Sequence, residues 1–378
     1  MRRAPRRRAA AVRRAVVCGA ALCALAAPRP AAAQAQAPSR VQEAQDVLRQ
    51  LVERYGVSGH EADVRSLVIR LLPVWASPTV DSAGNVIVRF GHGAPLVVFV
   101  AHLDDIGFEV AELRDDGRLE LRARGGFYPS LFEGEPALVR TGTGVVRGVF
   151  AVRDSAGGSP RRTPPALRAD VGVRSRAAAE ALGIRVGDAV TMPKEYVPLA
   201  RQRATGRSFD DRVGCAAQIL ALRHLDPRDL RREAVFIFSV REETGLEGAR
   251  YAARILAPER PARVHAVDTF VSSASPLDPQ GFANTPLGLG PVARAVDNTS
   301  VTPPALVDSL RALARERHIP LQVGTTNGGN DGSVFTRWAI PDVPIGWPGL
   351  ASHSPAEVLD LRDLVSLSDL IQAIVERW

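Results

Sequence analysis

Apolar positions at helical spacing mark the first folded stretch. Val41, Ala44, Val47, Leu48, Leu51, Val52 and Tyr55 follow Ser39, with Gln42 three residues on, and predict a helix opened by a capping box. A second box, Ser58 with Glu61, precedes Val64, Leu67, Val68, Leu71 and Leu72. The period then shortens: residues 85–90 and 95–101 read as strands joined by a turn at Gly91–Gly93. LVVFVA (Leu96–Ala101) is apolar throughout, as in a strand covered on both faces of a mixed or parallel sheet. From Glu109 the chain changes texture. Short alternating runs at 118–121, 137–140 and 145–152 are split by turns at Asp115–Gly117 and Thr141–Gly144, which predicts a small β-rich module. Its composition predicts a mobile loop at 154–166, and a short helix expected at 176–182 stops at Gly183. After Arg203 the first texture resumes, predicting helix 213–225, strand 234–240, helix 247–256, strand 263–269, helix 304–317, strand 340–345 and a terminal helix ending near Trp378. Alternation on both sides of the module implies one α/β domain, 36–108 plus 204–378, with 109–203 inserted into it.

Composition suits a large buried core, with 46% hydrophobic residues in 378. The net charge of +7 points to polyanion binding until it is located. Residues 1–35 hold eight arginines and no acid, so the rest of the chain carries 40 basic against 41 acidic residues. A nucleic-acid partner therefore loses its main support. Basic start, apolar run Ala15–Ala27 and small residues to Ala35 form the pattern of a secretory signal peptide, implying export to the periplasm or the exterior. Arg13-Arg14 leaves the twin-arginine route open beside the general one. The apolar run is too short for a stable membrane span. Cys18 and Cys23 lie in this leader; Cys215 is then a lone cysteine, read as a small buried helix residue.

Five chemistry-bearing places share one address, the loop or end of an apolar segment where open α/β sheets build their sites. They are His102 and Asp104 after LVVFVA, Asp210 with Asp211 before a helix, Glu242 and Glu243 after VFIFSV, Asp268 at the end of HAV, and His353 past the strand near Ile345. Taken singly, each has a structural explanation, such as an N-cap for the Asp210-Asp211 pair. Together, imidazole nitrogen and carboxylate oxygen without thiolate are the ligand chemistry of zinc, cobalt or manganese in a hydrolytic site. His60, His92, His224, His265 and His318 lack such company and read as structural.

HLDDIGFEV, SFDDRVGCA, REETGLEGA, HAVD and SHSPAE, with the early GVSGHE and the GLGPVARAVD stretch, resemble the dinuclear aminopeptidases that include the tetrahedral TET enzymes and the glutamyl aminopeptidases. The likeness runs in one order from about Val41 to the C-terminus. It implies a phosphorylase/hydrolase-like mixed-sheet catalytic domain with helices on both faces, and an inserted barrel-like domain of the dimerisation type. It also implies two divalent metal ions per subunit, peptide substrates with a free amino end, and a homo-oligomer, dimer or dodecamer. Carried over residue by residue, His102, Asp210 and Asp268 resemble the ligands of one metal, and Asp210, Glu243 and His353 those of the other. Asp104 resembles the acid that orients His102, and Glu242 the general base. Asp211 keeps a capping or supporting role. GGNDGS departs from the family's Gly-Gly-Thr-Asp at Asn330 and places Asp331 near the substrate amino end; GLASHSPAE lacks the usual Arg-Tyr, and Asp105 replaces a usual Glu. Other readings are a related deacylase, the endoglucanase sometimes named among relatives, or a non-catalytic scaffold. A glucanase wants paired carboxylates at a set separation and aromatic sugar platforms, and this chain has 5% aromatic residues.

Overall fold

The structure is a computed structural model that describes residues 39–153, 166–275 and 284–378. The leader 1–35 and nearly all of the loop 154–166 lie outside the described residues. An eight-stranded sheet forms the frame. Its strands are β1 (Thr79–Val80), β2 (Val86–Gly91), β3 (Leu96–His102), β12 (Glu233–Ser239), β13 (Arg263–Val271), β14 (Val292–Val296), β15 (Gln322–Thr325) and β16 (Ile345–Gly349). Their order across the sheet is β1-β2-β12-β3-β13-β16-β14-β15. β3 runs parallel to β12 and β13, and β13 parallel to β16, whereas β2 and β14 pair antiparallel with β12 and β16. β2 and β3 are thus not a hairpin, because β12 lies between them.

Helices cover both faces. On one lie α1 (Arg40–Val52), α2 (Ala62–Leu71), α4 (Phe209–His224), α6 (Pro304–Glu316) and α7 (Leu361–Arg377), which share one apolar core with the sheet. On the other, α5 (Glu247–Leu256) and the 3-10 stretch Asp331–Trp338 bury Ala249, Ala252, Ala253, Leu256, Val334 and Phe335 against Val98, Val100, Val235 and Ile237. Every residue of β3 is buried, as its unbroken apolar run predicts.

Between β3 and the rest of the frame the chain builds a closed barrel. It consists of β4 (Gly107–Leu113), β5 (Leu119–Arg124), β6 (Pro136–Thr141), β7 (Gly144–Ala151), β8 (Arg168–Asp170) and β9 (Ala189–Thr191), ordered β4-β5-β8-β7-β6-β9. The barrel has its own core around Phe108, Phe132 and Phe150, and carries the short helix α3 (Arg176–Ala181), capped by Ser175. β10 (Val197–Pro198), β11 (Arg203–Gly206) and β17 (Glu357–Asp360) form a third, antiparallel sheet beside it. The fold is mixed α/β with a barrel insertion, the class read from the sequence.

Three local readings change. Ser39 does cap α1, accepting from Gln42 N at 3.2 Å, but the Gln42 side chain turns to Asp46 and leaves the box half made. Ser58 does not cap α2: its hydroxyl pairs with Thr244 Oγ1 at 2.9 Å, and Glu61 instead accepts from the amides of Gly59 (2.7 Å) and Arg241 (3.1 Å). The strand expected at 340–345 begins only at Ile345. Pro341 and Pro344 bring no amide donor to a ladder, and Ile340 packs into the layer beneath α5.

Candidate metal centre

Parallel pairing brings the five addresses together. Register sets Ser239 opposite His102 and Asp268 opposite Gly346, where an added Cβ would fall on the Asp268 carbonyl. A cavity of about 640 Å³ opens there, lined by His102, Asp210, Glu242, Glu243, Asp268 and His353. Phe127, Tyr128 and Leu131, which follow β5 of the barrel, form part of its wall.

Asp210 occupies the middle. Its Oδ1 lies 3.1 Å from His102 Nε2, and its Oδ2 lies 3.3 Å from His353 Nε2 and 3.0 Å from the Ser352 hydroxyl. Glu243 Oε1 stands 3.2 Å from the same His353 nitrogen. Ligand atoms of His102, Asp210 and Glu243 fall within 4.8 Å of one another, and so do those of Asp210, Asp211 and Asp268. Asp211 therefore sits among the carboxylates and also caps the regular part of α4 through the Gly214 amide. It accepts from the amides of His102 (3.2 Å) and Gly214 (2.9 Å), and the Asp210–Asp211 peptide is cis. Helical φ/ψ begins only after Asp211, so this pair occupies the bend ahead of the regular part of α4. The adjacent Glu242 and Glu243 diverge after Arg241, whose φ of 53° breaks the strand direction.

Both histidines are held the same way. His102 Nδ1 donates to the Asp104 carbonyl at 3.0 Å, and His353 Nδ1 donates to the carbonyl of Gly126, a residue just past β5, at 2.6 Å. A carbonyl can only accept, so each Nδ1 carries the proton and each Nε2 faces carboxylate oxygens. That arrangement calls for a doubly protonated ring or for a cation between nitrogen and oxygen. Burial opposes charge on both rings, and the surrounding acids, Glu242 and Glu243 foremost, still raise them well above the ordinary histidine value. Burial also raises Asp211, Glu242 and Glu243, and lifts Asp268 to about 6 against the opposing pull of Arg294, 3.4 Å away. Asp210 alone among these acids is lowered: burial works against it, but the hydrogen bonds from both histidines prevail. Glu243 Oε1 is buried and faces His353 Nε2 without the geometry of a full hydrogen bond to any described residue. So many acids packed out of water with bare acceptors are costly without a cation, and nitrogen with carboxylate oxygen is a suitable donor set for zinc, cobalt or manganese. The residues fit a divalent metal centre.

Two expected roles shift. Asp104 stays 3.6 Å from His102 Nδ1 with its nearer carboxylate oxygen, whereas its two oxygens accept the amides of Glu242 (3.0 Å) and Glu243 (3.1 Å). The carboxylate thus pins the glutamate pair while it also faces His102, whose Nδ1 proton goes to the Asp104 backbone carbonyl. Asp331 does not line the cavity. It is 3% exposed, takes a short hydrogen bond from Ser239, and is raised by burial to about 7. Cys215 is buried, with its thiol directed at the His102 carbonyl. Sequence reading passed over Arg294, which ties Asp268 to Asp297 (3.1 Å), as well as Ser352 and Gly126. Arg294 and Ser352 sit inside recognised motifs, but Gly126 contributes only a carbonyl and has no side-chain signature.

The sequence matches the M42 glutamyl aminopeptidase family over residues 84–370. It is 30% identical over 343 residues to a lysyl aminopeptidase of Pyrococcus furiosus, covering 88% of this chain and 96% of the relative. To a glutamyl aminopeptidase of Lactococcus lactis it is 26% identical over 344 residues, covering 87% and 95%. Among solved structures, the TET1 peptidase of Pyrococcus horikoshii, described as assembling into a tetrahedron or a large octahedral shell, superposes with a TM-score of 0.80 at 30% identity, covering 89% of this chain and all of that one.

Proposed function

Because this chain belongs to the M42 glutamyl aminopeptidase family and is a hydrolase acting on peptides, we propose that it is an exported aminopeptidase that uses two divalent metal ions to remove N-terminal residues from peptides. The observation that carries the reading is Asp210, whose two oxygens each face the Nε2 of a different histidine. In this reading His102, Asp210 and Asp268 hold one ion, and Asp210, Glu243 and His353 the other, with Asp211 close behind. When bound, such a pair would lower the pKa of a water and polarise the scissile carbonyl.

The rest is the work of the chain itself. Glu242 lines the cavity with Oε2 4.0 Å from His102 Nε2, near the ligands yet assigned to neither set. Its buried, acid-rich surroundings raise its proton affinity, so that in its charged form it suits a group that takes a proton from water and hands it to the leaving amine. Asp104 holds the backbone that carries it. Phe127, Tyr128 and Leu131 supply an apolar part of the wall for the substrate, and Asn327 to Gly329 a polar part. Likeness to the assembling TET1 peptidase supports a homo-oligomer, dimer or dodecamer. The arginine-rich leader supports export; no helix among the described residues is long and apolar enough to cross a membrane.

Glu242→Gln tests the mechanism. We expect metal content to match the wild type while aminoacyl-anilide hydrolysis falls by about 10²–10⁴-fold. Full turnover in that variant would remove Glu242 from the chemistry. A chelated wild type that regains no activity with zinc, cobalt or manganese would overturn the metal reading, and sedimentation and cell fractionation check assembly and export.

A further inference from the structure

SHSPAE contributes His353 to the site but leaves Glu357 without a role. That side chain is 1% exposed. Its Oε2 accepts the amide of Asp210 at 3.1 Å, and its Oε1 accepts the amide of His353 at 3.3 Å. Strand pairing delivers it there. β11 and β17 pair Gly206 with Glu357, which sets the carboxylate beside the turn 207–210, and a bridge between Leu350 and Val358 closes the loop that carries His353. Both segments need holding. Ser208, two residues before Asp210, has φ of 71°, and His353 itself has φ of 60°, a backbone region that costs ordinary residues about 1 kcal/mol or more. Burial pushes the Glu357 carboxyl up to about 7, while buried Arg207 favours its charged form.

We propose that Glu357 is a positioning residue for the metal centre, its carboxylate clamping the backbones of Asp210 and His353 so that the central aspartate and the last histidine meet. The proposal rests on the metal reading above. It differs from a merely structural role because the two clamped amides belong to two ligand residues. Asp363 provides a matched comparison: it is 1% exposed and also accepts two amides, from Gly288 and Gly290 at 2.7 Å each, but none of these residues lines the cavity.

Cobalt is titrated into metal-free wild type, Glu357→Gln and Asp363→Asn against a competing chelator, with the visible absorption of the bound ion and the thermal midpoint of each metal-free protein recorded. Glu357→Gln should bind cobalt at least about tenfold more weakly with an altered spectrum, whereas Asp363→Asn should lose thermal stability but keep affinity within about twofold. Glu357→Asp, which keeps the charge with a shorter reach, should recover part of the loss. Wild-type affinity and spectrum in Glu357→Gln, or an equal loss in Asp363→Asn, would overturn the clamp alone. No cobalt uptake by the wild type would overturn the metal reading and the clamp with it. Should Glu357→Gln not fold without metal, Glu357→Asp is titrated in its place; failure of both to fold makes Glu357 part of the frame and rejects the proposal.

Discussion

Asp104→Asn is the most informative single change, because it separates holding the glutamate pair from holding His102. The carboxylate is fully buried and accepts the amides of Glu242 and Glu243 at 3.0 and 3.1 Å. Hydrogen bonds to a charged group contribute roughly 1.5–3 kcal/mol each. Asparagine keeps one acceptor and turns an NH₂ toward the other amide, so one bond is lost and one buried N–H stays unpaired. The combined cost is about 3 kcal/mol, or roughly 150-fold in the folding equilibrium. Urea unfolding of the metal-free protein reads that term. The His102 bond to the Asp104 carbonyl is untouched by the substitution, so the ring should keep its tautomer. The loss should therefore appear at Glu242 and Glu243. Hydrolysis should fall about 10–100-fold at temperatures where the variant is fully folded, and cobalt affinity should weaken through Glu243. A variant within about 0.5 kcal/mol of wild type and with unchanged turnover would refute the pinning role.

Asp210→Asn should empty or misplace both metals, read as metal per subunit by elemental analysis, whereas Asp211→Asn should cost less; equal losses would mean that Asp211 ligates too. His265, packed between Phe99 and Trp378 and donating to the Val343 carbonyl at 2.8 Å, is depressed by burial to about 3. The unfolded chain takes up that proton first, so stability is full above about pH 6.5 and falls by about 1.4 kcal/mol per unit toward pH 3. His265→Phe should flatten that slope in thermal melts across pH 4–6.5, and an unchanged slope would assign the dependence elsewhere. Tyr128, 69% exposed at the cavity, should when changed to Ala raise KM for tri- and tetrapeptides by about two- to tenfold with kcat and thermal midpoint unchanged, as steady-state kinetics would show.

Much of the site was legible because its residues stand at strand and loop ends, and parallel sheets collect such ends along one edge. The apolar run of β3 announced a doubly covered strand, and His102 follows directly from it. Roles carried by backbone groups were not legible. Asp104 acts on two amides and Glu357 on two more, so the residues they serve lie far away in sequence. Asp331 shows the converse. Its motif suggested contact with substrate, but the 3-10 turn that carries it tucks the carboxylate under Ser239.

By itself the sequence determined the helices and their stops, the fully buried strand, the barrel insertion as a change of period, and the set of acids and histidines. Those follow from local spacing and side-chain chemistry, which need no partner to be read. Tertiary structure alone decided that β12 enters between β2 and β3, that Asp211 turns toward Asp268, and that Gly126 past a barrel strand holds His353. The reason is common to all three. Strand order, carboxylate clustering and carbonyl-to-imidazole contacts depend on which distant segments burial brings together, and that is a property of the packed chain, not of any stretch of it.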